Sequence, residues 1–413
     1  MSYSKYLLKT THALFLAAVT LGASGSAQAE WTHAFSLRTE EGYDSNVYLQ
    51  NFGPTAKQDS FITVIQPKVD LGYLSKPFNL NLTYAPKVSI YGSERTENNV
   101  AHAMGINFKG NITDSLSYEV LNSLNYVNGS RTAPTFVGPG GAPAIGGFSI
   151  RDRRESAWMK QSAKLTWTIG SFFVRPVYNG YIHDFKTIQK EEPGYANYVD
   201  RKQFNGGVDL GFKVLKETWF VTGYRYGIQE QDRLFDNPIK YNNTFQRALF
   251  GLEGQPVSWL KICATAGPSF HHFNDSVPEA FGRNHTRVYA DATVTLTPTS
   301  NDSLILATTR FEQMSSGGRG AYQDIVYRAG YVRKLTSALD LKADFRLYRG
   351  EFEAPANRKD NIYTPSLGLS WKVNPHLSCD CQYSYEWAES DVEDTWGREY
   401  NHHLVSVGAN LSF

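Results

Sequence analysis

The sequence predicts an all-β fold: one transmembrane, antiparallel, up-and-down β-barrel of about 18 strands, within a range of roughly 16 to 20. Three observations lead there. Stretches whose side chains alternate between apolar and polar recur from residue 31 to residue 413, each long enough to cross a bilayer as a tilted strand. The breaks between them alternate between tight turns and longer, more polar loops. After residue 29 no apolar run approaches the ~20 residues that a membrane-crossing helix needs, so any spanning is done by strands.

Residues 1–29 read as a secretory signal. Lys5 and Lys9 form a basic start, Ala13 to Leu21 a short apolar run, and Ala27-Gln28-Ala29 a small-residue cleavage site. Cleavage near Ala29 leaves residues 30–413 as a single barrel domain. With 41 basic and 40 acidic side chains, no global field draws nucleic acid to the protein. Aromatic residues make up 14% of the chain and Tyr outnumbers Trp by 25 to 8, a composition suited to rings at two water-lipid boundaries.

Turn residues mark eight tight connections: Leu74 to Pro77, Gly110 to Asp114, Ile169 to Ser171, Leu215 to Thr218, Gly254 to Trp259, Pro298 to Asp302, Leu335 to Ala338 and Asn374 to His376. Nine longer connections, among them Gln50 to Gln58, Asn128 to Arg153 and Ser315 to Ala321, alternate with them. Eighteen strands follow, with both ends of the barrel on one side, short turns facing the periplasm and long loops facing out. Phe78 to Tyr91 shows the face assignment: Leu80, Leu82, Tyr84 and Val88 oppose Asn79, Asn81, Thr83 and Lys87.

The closing segment, Asn401 to Phe413, alternates in the same way, with Val405, Val407, Ala409, Leu411 and Phe413 on one face. This strand with its terminal aromatic residue resembles the final strand of Gram-negative outer-membrane β-barrels. The resemblance implies that Leu411 and Phe413 serve as an assembly signal for the barrel-assembly machinery, and that the strand pairs with the first one.

If the apolar face meets outer-membrane lipid, the polar face lines a lumen, where a charge needs water or an opposite charge beside it. Arg175, Asp209, Arg225, Arg247, Asp291, Arg310, Arg328, Asp344 and Arg346 are the pore-lining candidates, and together they predict a transverse field that orients small polar solutes. The structural alternative is a set of charge ladders that only hold the wall closed. In the third outer loop, Thr132 to Ser149 carries no charge, and Phe136, Val137, Ile145 and Phe148 are poorly placed in water. That predicts a constriction loop folded into the lumen. The alternative is an external loop or a contact for a partner chain.

No catalytic or metal site emerges. His376-Leu377-Ser378 has the letters of a barrel-lipase pair but sits on a periplasmic turn. His183, Asp184, His271, His272 and Asp275 gather near the outer rim without a known spacing. Adjacent histidines on a strand, as in His271-His272 and His402-His403, point to opposite faces and cannot share one metal. Cys379 and Cys381 share a face at about 6.5 to 7 Å, too far for a disulfide, and read with Cys263 as small apolar fillers. The expectation is a protein without cofactor or metal, and not an enzyme.

Gly42-Tyr43-Asp44-Ser45-Asn46-Val47-Tyr48 resembles the opening strand of a group of outer-membrane β-barrel porins in which a Tyr-Asp-x-Asn step precedes the first outer loop. What the resemblance implies is an outer-membrane barrel of uncharacterised cargo, and it carries no functional residue with it. The expected function is passive diffusion of small hydrophilic solutes, anionic or saccharide. The alternatives are a structural or adhesive barrel that binds a partner through its outer loops, and a rim-located hydrolase. A homotrimer is compatible with the pattern, because trimer interfaces use residues like those that face lipid.

Overall fold

The computed structural model describes residues 30–413 except 50, 52–55, 76, 129–154, 186–198, 234–238, 316–319, 355–356 and 392–398. Eighteen strands follow one another as nine hairpins joined by short turns. They are β1 (Glu30–Asp44), β2 (Ser60–Leu74), β3 (Phe78–Tyr91), β4 (Asn99–Thr113), β5 (Leu116–Asn128), β6 (Ser156–Ile169), β7 (Phe172–Phe185), β8 (Arg201–Leu215) and β9 (Thr218–Gln231). The second half comprises β10 (Asn243–Val257), β11 (Leu260–Phe273), β12 (Asn284–Thr299), β13 (Asp302–Met314), β14 (Ala321–Lys334), β15 (Leu339–Phe352), β16 (Arg358–Lys372), β17 (Leu377–Ser390) and β18 (Tyr400–Ser412).

Each strand pairs antiparallel with its sequence neighbours, and β18 pairs with β1 from Ser36↔Ser412 to Asp44↔Leu404. The wall is therefore a closed 18-stranded barrel without a free sheet edge along its circumference. The predicted turn at Gly110 to Asp114 falls later, at Asp114 and Ser115, because β4 stays laddered to β5 through Thr113 across a register shift.

Backbone hydrogen bonds join Phe413 N to Phe35 O (2.8 Å) and Phe35 N to Phe413 O (3.1 Å), which extends the β1–β18 seam to its periplasmic limit. The Phe413 ring is 70% exposed and stacks on Phe35 and His376 at 6.2 Å each. So little packing means that Phe413→Ala should cost the finished barrel at most about 1 kcal/mol. If the ring is instead read during assembly, the variant should yield several-fold less heat-modifiable barrel in the membrane fraction. Equal yields of variant and parent on unboiled gels would remove the assembly role.

Strand length exceeds what the membrane requires. Strands of 13 to 16 residues outrun the 9 to 11 that cross hydrocarbon, so several residues of each project beyond it. That surplus is where burial concentrates. In β16 the buried positions are Arg358, Asp360 and Ile362, all at the long-loop end, whereas the periplasmic half stays partly or fully exposed. In β1 they are Gly42 and Asp44, again at the long-loop end.

The cause is an infolded hairpin. The β12–β13 ladder stops at Ala290↔Arg310, although β12 begins at Asn284 and β13 runs on to Met314. The β13–β14 ladder continues to Met314↔Ala321 and β14–β15 to Tyr322↔Phe352. Five consecutive residues, Ala321 to Ile325, are buried. A strand in a lipid-facing wall exposes alternate residues, so a run of this kind has left the wall and lies inside the barrel.

Candidate functional site

The lumen has two unlike halves. Toward the periplasmic turns its wall is polar and open to water. Arg175 Nε donates to Asp209 Oδ2 (3.1 Å), Arg225 Nη2 donates to Asp209 Oδ1 (2.6 Å), and Arg175 Nη2 reaches Glu253 Oε2 (2.8 Å). Arg38 bridges Glu40 and Asp380 across the β1–β18 seam, Arg328 pairs with Asp344 at 2.8 Å, and Arg346 pairs with Glu386 at 3.1 Å. A cavity of about 300 Å³ in this wall is lined by Arg328, Lys342, Asp344, Asp380 and Gln382.

Register places Arg175, Asp209, Arg225, Arg247, Asp291, Arg328, Asp344 and Arg346 on the face turned away from Phe172, Val208, Phe250, Val288 and Phe345. Asp291 stands opposite Thr265 and Thr309 on that face. Arg310 differs from the expectation. It shares its face with Leu304 and Leu306, while Thr309 and Ala307 take the lumen side. Because β13 turns inward just beyond this point, the Arg310 guanidinium finds Gln323 Oε1 at 2.7 Å on the back of the hairpin.

Arg225 and Arg247 are direct cross-strand neighbours of like charge. The conflict is resolved by giving them different partners. Arg225 takes Asp209, and Arg247 lies between the rings of Phe245 (4.1 Å) and Tyr289 (4.3 Å), which attract a guanidinium through their faces.

The outer half of the lumen is closed by packing. The hairpin's β13 edge lies against lumen-facing side chains of β8 and β9: Arg201 Nη1 donates to Gln313 Oε1 (3.1 Å) and Met314 O (2.9 Å), and Gln229 Nε2 donates to Glu312 O (2.9 Å). The Glu312 carboxylate turns to the β12 wall, where His285 Nδ1 is 2.6 Å from Oε1. His285 Nε2 faces Phe281 O at 3.0 Å, so the ring has an acceptor on both sides and donates from both nitrogens. Met314 and Ala321 join Tyr241, Phe273, Val277 and Phe281 in an apolar cluster. Burial raises the Tyr241 phenol above its ordinary value, so it stays un-ionised in this cluster.

On the other side of the mouth the first outer loop turns inward. Leu49, at a positive φ of 52°, inserts among Tyr348, Ile362, Ala388 and Tyr400. Positive φ is uncommon for a leucine, and here the side chain's apolar seat holds it. The Tyr-Asp-x-Asn step explains how the loop is anchored. Asp44 Oδ1 accepts from Asn46 N (2.9 Å) and pairs with His402 Nε2 (2.9 Å), Asn46 Nδ2 donates to Asn401 O (2.9 Å), and Ser45 N donates to His403 O (3.0 Å). This motif clasps β1 to β18 at the outer end, a role that only the ring closure reveals.

A buried chain of hydrogen bonds runs along the wall to the hairpin. Arg247 Nε donates to Ser269 Oγ (3.1 Å), and Ser269 Oγ lies 2.8 Å from His271 Nε2. His271 Nδ1 is 3.2 Å from Asn243 Oδ1, Asn243 Nδ2 donates to Gln229 Oε1 (3.0 Å), and Gln229 ends the chain on Glu312 O. Ser269 and His271 are each 2% exposed. The rim residues weighed as hydrolase candidates do not converge: His183 contacts Tyr181, Asp275 pairs with Arg283, and His271 belongs to this chain. His272 turns outward to Asn284. Phe136, Val137, Ile145 and Phe148 lie outside the described residues. Among the described residues no cluster of metal-ligating side chains forms.

The family model described as Putative beta-barrel porin 2 matches residues 283–413. No curated protein matches the chain. Among solved structures it is similar to OccK9 (OpdG) of Pseudomonas aeruginosa, with 9% identity, 93% of this chain and 99% of that chain covered, and a TM-score of 0.45. It is similar to a BenF-like porin from Pseudomonas fluorescens Pf-5, with 9% identity, coverage of 94% and 100%, and a TM-score of 0.45. A third is the copper transporter OprC, with 11% identity and a TM-score of 0.44. There 89% of this chain is covered, and it spans 62% of that chain. With its closed 18-stranded wall and the family match over residues 283–413, this chain is a porin-like outer-membrane β-barrel.

Proposed function

We propose that the protein is a channel for small hydrophilic solutes, mildly anionic or saccharide, in the bacterial outer membrane. Residues 1–29 act as its export signal, and its wall is laid down by the barrel-assembly machinery. One observation carries the reading: in the periplasmic half the inner wall holds charged side chains in water. The Arg328 side chain is 61% exposed although it pairs with Asp344, whereas a purely structural wall would not need a solvated cation there. Cations presented to a water-filled passage favour anions.

A second reading keeps a place because the outer half is packed shut. Tyr322 is 0% exposed, Ile362 0% and Tyr348 3%, which suits a structural barrel whose outer face binds a partner.

Currents in planar bilayers separate the two. Arg225 and Arg346 are poor test sites, because each holds a carboxylate that its removal would leave unpaired. Arg328→Gln removes a solvated charge and should shift the reversal potential toward cations without altering the folded yield. A barrel that passes no current under any condition belongs to the second reading, and an unchanged reversal potential in a conducting one would end the selectivity claim for Arg328.

A further inference from the structure

The geometry points to a gate: the free β13 edge of the infolded hairpin is a flap that lies on β9 when the pore is shut and zips onto β12 when it is open. This rests on the channel reading and assigns that channel its regulation.

The closed position is the one seen. Polar contacts from Arg201 and Gln229 hold the β13 edge against the far wall, across a gap that β10, β11 and β12 bridge along the circumference. The open position is written in the two edges left unpaired. β12 offers Asn284 to Tyr289 and β13 offers Phe311 to Met314, immediately beyond the last ladder pair, Ala290↔Arg310. Continuing that register would pair Tyr289 with Phe311, Val288 with Glu312, Arg287 with Gln313 and Thr286 with Met314. The backbone hydrogen bonds gained along this seam replace those lost at β9, so neither position strands its main-chain groups. Arg310 and Glu312 fit the same account. On the zipped strand they would share the lipid-side face with Leu306, but in the stretch of strand that outruns the hydrocarbon, where charge is tolerated.

The catch is the buried chain that ends on Glu312. Asn243 Nδ2 faces two acceptors, Gln229 Oε1 and Tyr241 O, which fixes the Gln229 amide with its NH₂ toward the hairpin. Asn243 thereby positions Gln229 without its own contact to β13. Losing such an orienting bond should raise the frequency of opening by about tenfold, the scale of a single buried hydrogen bond.

Two cross-links in a background with Cys263, Cys379 and Cys381 changed to alanine test the flap. Arg201→Cys with Gln313→Cys, bridged by a short reducible bifunctional thiol reagent, should abolish current, and reduction should restore it. Thr286→Cys with Met314→Cys should form a disulfide only in the zipped position, where paired Cβ atoms stand about 4.5 to 5.5 Å apart, and should hold the pore open. Asn243→Ala should lengthen and multiply openings, with Gln229→Ala as a second variant should that barrel fold poorly. Failure of the Thr286/Met314 disulfide to form while the barrel conducts, or currents indifferent to the Arg201/Gln313 bridge, overturns the gate and leaves the channel standing. A disulfide that forms without any current overturns the channel reading while showing that the flap moves.

Discussion

Excising the outer arms of the β13–β14 hairpin, residues 311–315 and 320–324 with what joins them, should turn an intermittently conducting barrel into a permanently open one. Conductance should rise on the order of tenfold, because an 18-stranded wall without internal fill leaves an aqueous channel. The expectation follows from what the arms occupy. Tyr322 is 0% exposed against Phe352, Ile325 is 3% exposed, and Met314 seals the cluster around Phe273. Removing them takes out both the polar contact to β9 and the apolar fill of the mouth. β15 loses its outer ladder partners from Tyr322 to Asp324, so unboiled gel mobility must first establish that the wall has closed. A closed wall that still passes no current, with sugars of graded size excluded from liposomes, would assign the protein to the structural reading.

Asp209→Ala should be the most damaging single change in the lumen wall. Its carboxylate is 7% exposed and accepts from both Arg175 and Arg225, whose side chains are 12% and 11% exposed. Alanine would leave the Arg225 guanidinium without its carboxylate and Arg175 with Glu253 alone. Breaking a buried pair from one side costs about 3 to 5 kcal/mol, since the remaining charge stays desolvated without compensation. Asp344→Ala removes the partner of an Arg328 side chain that water already solvates and should cost no more than about 1 kcal/mol. Guanidinium unfolding midpoints in detergent compare the two. A variant at Asp209 as stable as the one at Asp344 would mean that the Arg175–Asp209–Arg225 cluster is hydrated and adds nothing to the wall.

Strand count, face assignment and the closing seam were legible because alternation and turn chemistry are local. Phe78–Tyr91 begins and ends where its pattern does, and β18 meets β1 as its alternation required. The clasp at Asp44, Ser45 and Asn46 carried a recognisable pattern, but its partners, Asn401, His402 and His403, are more than 350 residues away in sequence. The hairpin's departure from the wall left one trace. Arg310 and Glu312 sit in phase with Leu304 and Leu306, a charge placement that a lipid-facing strand does not tolerate across hydrocarbon. That phase error was the available signal, and counting both residues as lumen charges concealed it.

The sequence by itself determined that this chain forms a closed, 18-stranded wall with an apolar outer and a polar inner face, since a period of two can be read along any single strand. Only the tertiary structure decided where that wall gives way, which polar groups meet across the lumen, and that the mouth is shut. Those outcomes depend on contacts between strands brought together by ring closure, and the energy of Gln229 on Glu312 or Leu49 among Tyr348 and Tyr400 has no expression in the residues that flank them.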